Sequence, residues 1–135
     1  MRAAPVSEPR VPVPALQLLA LLQREGRLID FLKQNIEAFS DADVGAAARV
    51  VHQGCRKALD SHAHIDPIRN EAEGQSLELP RGYDASEVTL TGLVQGEPPF
   101  RGVLRHRGWR ATELSLPVPL SGHNPAVLAP AEVEL

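Results

Sequence analysis

The period of the apolar residues changes once along this chain, near Pro67, and that change limits what it can fold into. From Ala15 to Ser61 apolar side chains return at three- and four-residue steps, which is the period of a helix. Beyond Pro67 they alternate, and glycine or proline interrupts them at intervals of about eight to twelve residues, the pattern of short strands. Helices first and strands second predict an α+β fold: an N-terminal helical hairpin plus a third helix, followed by a small antiparallel β-sheet or a partly closed barrel. A length of 135 residues allows one compact domain, or a small domain with an appended segment. The organisation expected is a disordered proline-rich lead-in over 1–14, a three-helix segment over 15–62, and an antiparallel β segment over 63–135 that forms one compact unit with the helices.

Prolines at 5, 9, 12 and 14 block both helix and ladder in the lead-in. Pro14 then suits the first turn of a helix over Ala15–Glu25, in which Leu16, Leu19, Ala20 and Leu22 repeat helically while Leu18 and Leu21 widen the apolar arc. So broad an arc is expected to be buried or to dock on a partner. Gly26 is the expected stop. A second helix is expected over Arg27–Ala38, with Leu28, Leu32, Ile36 and Phe39 on one face. The third, from Asp41 to Leu59 or Ser61, has the clearest start. Ser40 stands three residues before Asp43, a variant of the capping box. Gly45 and Gly54 fall inside that helix, each about 1 kcal/mol worse than alanine, so another helix is expected to pack closely there. Strands are expected at Ile65–Glu71, Ser76–Leu79, Val88–Val94, Gly102–His106, Trp109–Leu116 and Glu132–Leu135.

Charge and cysteine content exclude several classes. Fourteen basic against seventeen acidic residues give a net charge of −3, the wrong sign for a general nucleic-acid binder. One cysteine, Cys55, permits no internal disulfide framework. The apolar run Leu18–Leu22 is far short of the roughly 20 residues a membrane helix needs. No apolar stretch before Pro14 matches a secretory signal, so the expected location is the cytoplasm. The phosphate-binding and hydrolase motifs G-x-x-x-x-G-K, G-x-G-x-x-G, G-x-S-x-G and H-E-x-x-H do not occur. No cofactor is expected.

Two constellations remain. His52, Cys55, His62 and His64 carry imidazole and thiol ligands suited to tetrahedral zinc, or a thiol paired with a histidine base. Their spacing matches none of the common paired-cysteine patterns, and Cys55 falls on the apolar face with Val51 and Leu59, where an inert core thiol is the simpler reading. A metal- or thiol-dependent enzyme is the alternative function that rests on these four residues. The second constellation is cationic: Arg101, Arg105, His106, Arg107 and Arg110, with Trp109 among them. A two-residue turn at Arg107-Gly108 would set Arg105 opposite Arg110, a like-charge pairing that an anion or a carboxylate-bearing partner would relieve. Arg101, Arg105, Arg107, Trp109 and Arg110 are therefore the expected partner or anion contacts, and an anion or nucleic-acid binder acting through this 101–110 hairpin is the second alternative function. Glu97 and Glu113 are candidate internal partners, and a solvated tip is the simpler reading. His123, in a loop, is expected to have no catalytic part.

Several runs resemble a bacterial family of small proteins known as a domain of unknown function: SDADVGAA (40–47), VHQGCRK (51–57), LTG (90–92), GEPPF (96–100), HRGWR (106–110) and APAEVEL (129–135). The resemblance extends over nearly everything from about residue 16. It implies proximity to genes for chaperones of the seventy-kilodalton heat-shock class, hence a chaperone-accessory role, and it carries over no site residues. The expected function is a non-catalytic protein–protein interaction module whose partner is a protein, with such a chaperone as the candidate. Neither membrane nor nucleic acid is the expected partner.

Overall fold

A computed structural model describes residues 12–118 and 120–135. The lead-in expected over 1–14 falls largely outside them; from Val13 the chain is already helical. The elements are α1 (Val13–Gly26), α2 (Leu28–Lys33), α3 (Asp41–His62), β1 (Ala63–Pro67), β2 (Ser76–Leu79), β3 (Phe100–Val103) and β4 (Trp109–Leu114). The class is α+β. The chain divides into two compact units, the helices up to Ala63 together with Leu114–Leu135, and His64–Glu113. Among the described residues the strands form two two-stranded sheets and no closed barrel.

In the helical unit the decisive contact is between backbones. A Cβ on Gly54 would overlap the Glu25 carbonyl oxygen and lie 2.6 Å from the Gly26 Cα; one on Gly26 would lie 2.6 Å from the Cys55 backbone nitrogen. α1 therefore meets α3 glycine to glycine. A Cβ on Gly45, by contrast, would meet nothing within 4 Å, so only one of the two helix glycines marks the close approach. Among the described residues, Leu21 and Ala58 are the buried apolar side chains of this unit.

Gly26 is spent on that contact and is the last helical residue of α1. The left-handed residue that ends α1 is Arg27, at φ 55°, a conformation that L side chains rarely adopt. α2 begins at once, and its free amides find an acceptor on α1: Gln23 Oε1 accepts from Ile29 N at 3.0 Å and from Asp30 N at 3.1 Å, while Gln23 Nε2 donates to Asp30 Oδ2 at 2.9 Å. The second helix stops at Lys33, well before the expected Ala38. Gln34 is extended, and the Asn35 side chain accepts from Glu37 N at 3.1 Å. That is the local competition by which asparagine ends helices. α3 starts as its sequence predicts, with Ser40 Oγ accepting from Asp43 N at 3.1 Å.

The second unit is one antiparallel ribbon, broken once. β2 pairs with β3 from Ser76–Val103 to Leu79–Phe100, and the pairing continues through Leu104, whose amide donates to Gln75 O at 2.9 Å and whose carbonyl accepts from Gly74 N at 2.7 Å. β1 pairs with β4, continued by Arg69 N to Arg107 O at 3.0 Å and Ile68 N to Gly108 O at 3.2 Å. Between these stretches four residues, 70–73, stand on one side and two, 105–106, on the other, so the ladder breaks as at a large bulge. Leu79 and Leu104 are its buried apolar residues.

Several strand expectations are corrected. The expected hairpin at Arg107-Gly108 does not form. Both residues are backbone partners of 68–69, and the segments on either side pair with different strands. Val88–Val94 is not a strand, and Gly92 within it takes φ of 82°, outside the extended region. Glu132–Leu135 has no ladder partner among the described residues, and Val133 is 80% exposed. The other strands are offset or shorter than expected, except Ser76–Leu79, which matches.

The two helix glycines should respond oppositely to alanine. Gly45→Ala should raise stability by about 1 kcal/mol through helix propensity alone. Gly54→Ala should lower it by about 2 kcal/mol or more through overpacking against backbone. Urea denaturation of both variants checks this; equal responses would contradict the close crossing.

Candidate functional site

Among the described residues no group of three or more His, Cys, Asp or Glu side chains comes together in a way that could hold a metal ion. His52 is exposed on α3. The His62 ring nitrogen Nδ1 lies 3.0 Å from Ser115 O. His64 Nε2 is 3.2 Å from Asp66 Oδ2, both side chains more than half exposed, and His64 belongs to the other compact unit from the first three. Cys55 sits beside the glycine crossing, its thiol directed at Leu22 O at 3.8 Å. Burial pushes that thiol's pKa up, the opposite of what a thiolate nucleophile requires. The structure thus leaves the four residues of the enzyme alternative unassembled.

The arginines are dispersed and mostly matched within the ribbon. Arg110 hydrogen-bonds Glu87, which holds the guanidinium pKa above its ordinary value. Arg101 reaches Glu78 across the β2–β3 pair at 3.6 Å. Arg107 donates to Arg69 O at 3.1 Å and to Asn70 O at 3.4 Å, bridging the side of the break that holds four residues. Glu87 and Glu78, rather than Glu97 and Glu113, are the internal carboxylates. Arg105 and Trp109 are exposed, and Arg105 has no ion-pair partner among the described residues. The expected face-to-face pair of Arg105 and Arg110 is absent because the hairpin that would align them is absent.

A second charged pair supports the same break. Arg69 Nε donates to Glu71 Oε1 at 3.0 Å, with both side chains about two-thirds covered. The Arg69 hydrogen bond, aided by the Glu71 amide, holds the Glu71 carboxyl below the usual carboxylate range.

The feature that sequence reasoning missed is an apolar groove in the helical unit, about 480 Å3 in volume. Phe31 comes from α2, Ile36 and Phe39 from the non-helical stretch after it, and Val44, Ala47 and Val50 from α3. Arg27, Asp30 and Asp43 stand at its polar edge. Ile36, Phe39 and Val50 are 41%, 49% and 59% exposed, although each is large and apolar. The groove exists because α2 ends early: a helix continued to Ala38 would carry Ile36 round with Leu32, whereas the turn brings Ile36 and Phe39 beside the first half of α3. Asp30 is held in place by Gln23 first and Arg27 second, both of which lower its pKa. The only sequence signal was Asn35, a helix-ending residue inside an otherwise helical pattern. A smaller cleft of about 220 Å3 lies between α1 and residues 117–125 of the same unit, with Leu16, Ala20 and Leu120 on its walls.

One unit is helical with an exposed apolar groove and the other is a charged β-ribbon, together a small α+β chain. The chain belongs to the family described as Domain of unknown function (DUF2760), whose model matches residues 12–134. No curated protein and no solved structure matches it. Among the described residues no helix is long and apolar enough to cross a membrane.

Two measurements check this chemistry. The Cys55 thiol should react with a disulfide reagent more slowly in the native chain than in urea, by about tenfold or more; equal rates would contradict its burial. Glu71 has a folded-state pKa below its unfolded value, so its stabilisation is complete at neutral pH and is lost as pH falls below about 4. Glu71→Gln should therefore melt below the wild type at pH 7, with the gap closing towards pH 3. A gap independent of pH would contradict the Arg69–Glu71 pairing.

Proposed function

We propose that this chain is a non-catalytic protein–protein interaction module of the bacterial cytoplasm, with the α2–α3 groove as its principal contact surface. One observation carries the reading. Ile36, Phe39 and Val50 are large apolar side chains left open around a single groove, in a unit whose buried apolar side chains are only Leu21 and Ala58 among the described residues. A soluble chain rarely exposes contiguous apolar surface unless something covers it. Aromatic anchors such as Phe31 and Phe39, ringed by charges, resemble the centre and rim of a binding interface. The arginines of the ribbon support a contact surface less, since Arg107 and Arg110 hydrogen-bond within the chain and Arg101 lies 3.6 Å from Glu78.

The partner to be tried first is a chaperone of the seventy-kilodalton heat-shock class, as the family resemblance implies. Purified chaperone should bind the full chain, and Phe39→Asp or Val50→Asp should weaken that binding by about 1–3 kcal/mol, as when a buried interface anchor is lost. Calorimetric titration checks this. Binding that both substitutions leave unchanged would remove the groove as the surface, and no binding would remove the chaperone as partner.

A further inference from the structure

The groove edge on α3 has a charge pattern that reads the same after a two-fold rotation. Asp43, Val50 and Lys57 are spaced seven residues apart, which places them in one line along about 21 Å of helix. All three are exposed. Asp43 and Val50 both border the groove, and Lys57 continues their line one turn past Gly54. On the exposed side between them stand only the small or uncharged Ala46, Ala47 and Gln53, while Gly54 beside them is covered by α1. Arg56 is engaged by Asp60 at 3.7 Å and Arg27 by Asp30 at 3.0 Å. Asp43 and Lys57 have no ion-pair partner among the described residues. One end of the line is thus anionic, the other cationic, and Val50 is at its midpoint.

We propose that in the free protein the occupant of the groove is a second copy of this chain, which a chaperone bound there would displace. α3 packs antiparallel to α3 of the second copy about a two-fold axis beside Val50. Each Asp43 then faces the second copy's Lys57, Val50 meets Val50, and Phe39 and Ile36 of each copy close over the flanks. Isologous contact demands this self-complementarity. A uniformly acidic or basic partner would meet like charge at one end of the line, and a parallel pair of helices would set Asp43 against Asp43. The inference rests on the reading of the groove as a binding surface and names what fills it.

Sedimentation equilibrium of the full chain over a concentration series tests it. The wild type should self-associate to a dimer. Val50→Asp, Asp43→Lys and Lys57→Asp should each weaken the dimer by about tenfold or more, on the order expected for unpaired or like charge at an interface. The double exchange Asp43→Lys with Lys57→Asp should bring association back to within a few-fold of the wild type. Asp43→Lys also opposes the helix dipole in the first turn of α3, and the double variant keeps that penalty, so its recovery cannot come from improved folding. A monomer at every concentration overturns the proposal, as does a dimer indifferent to Val50→Asp or a double variant no better than the singles. A monomer whose chaperone binding still falls on Val50→Asp overturns the second copy while leaving the groove. Indifference of both dimer and chaperone binding to that change overturns the groove itself.

Discussion

Two helix backbones touch where Gly26 of α1 meets Gly54 of α3, and much of the helical unit follows from that contact. With no side chain between them, the helices come near enough for the Cys55 sulfur to lie beside Gly26, where burial raises its pKa. Gly26 is held in the helix by the contact and cannot serve as the left-handed terminator, so that role falls to Arg27. The next helix must then start without a side-chain cap of its own, and Gln23 supplies the missing acceptor from the helix before it. α2 is left with six residues, too few to stand without tertiary packing. Its early end is what opens the groove beside α3.

The sequence was legible where the determining interactions are local. The cap of α3 needs only Ser40 and Asp43, three residues apart, and the helix follows as expected. The same holds for Pro14 in the first turn of α1 and for the alternation of Ser76–Leu79. Legibility ended where a distant partner decides. Arg107-Gly108 has the composition of a hairpin turn, yet its backbone is claimed by Ile68 and Arg69, almost forty residues earlier. Gly45 and Gly54 look alike in sequence, and only the position of α1 distinguishes them. The groove was hidden for the same reason. Leu28, Leu32, Ile36 and Phe39 suit a continuous helix, and the side-chain bond of Asn35 to Glu37 is a small term that decides the outcome.

The candidate chemistry divides along the same line. Residue types named from composition, the histidines with Cys55 and the arginines with Trp109, are present but are kept apart or satisfied by neighbours. Arg110 with Glu87 and Arg101 with Glu78 turn part of an apparent cationic patch into paired surface charge, worth little to stability. Arg105 stays exposed without an ion-pair partner among the described residues, and several large apolar side chains at the groove edge are exposed as well. Phe39 and Val50 are about half exposed, and burial of their apolar area is the gain on which the proposed contact with another protein rests.

The glycine crossing can be observed directly. In a nuclear Overhauser spectrum of the full-length chain, the α protons of Gly26 and Gly54 should give a strong mutual cross-peak, accompanied by contacts from the Cys55 β protons to Gly26. A spectrum with the sequential helical contacts of α1 and α3 intact but no cross-peak between the two glycines would contradict the account.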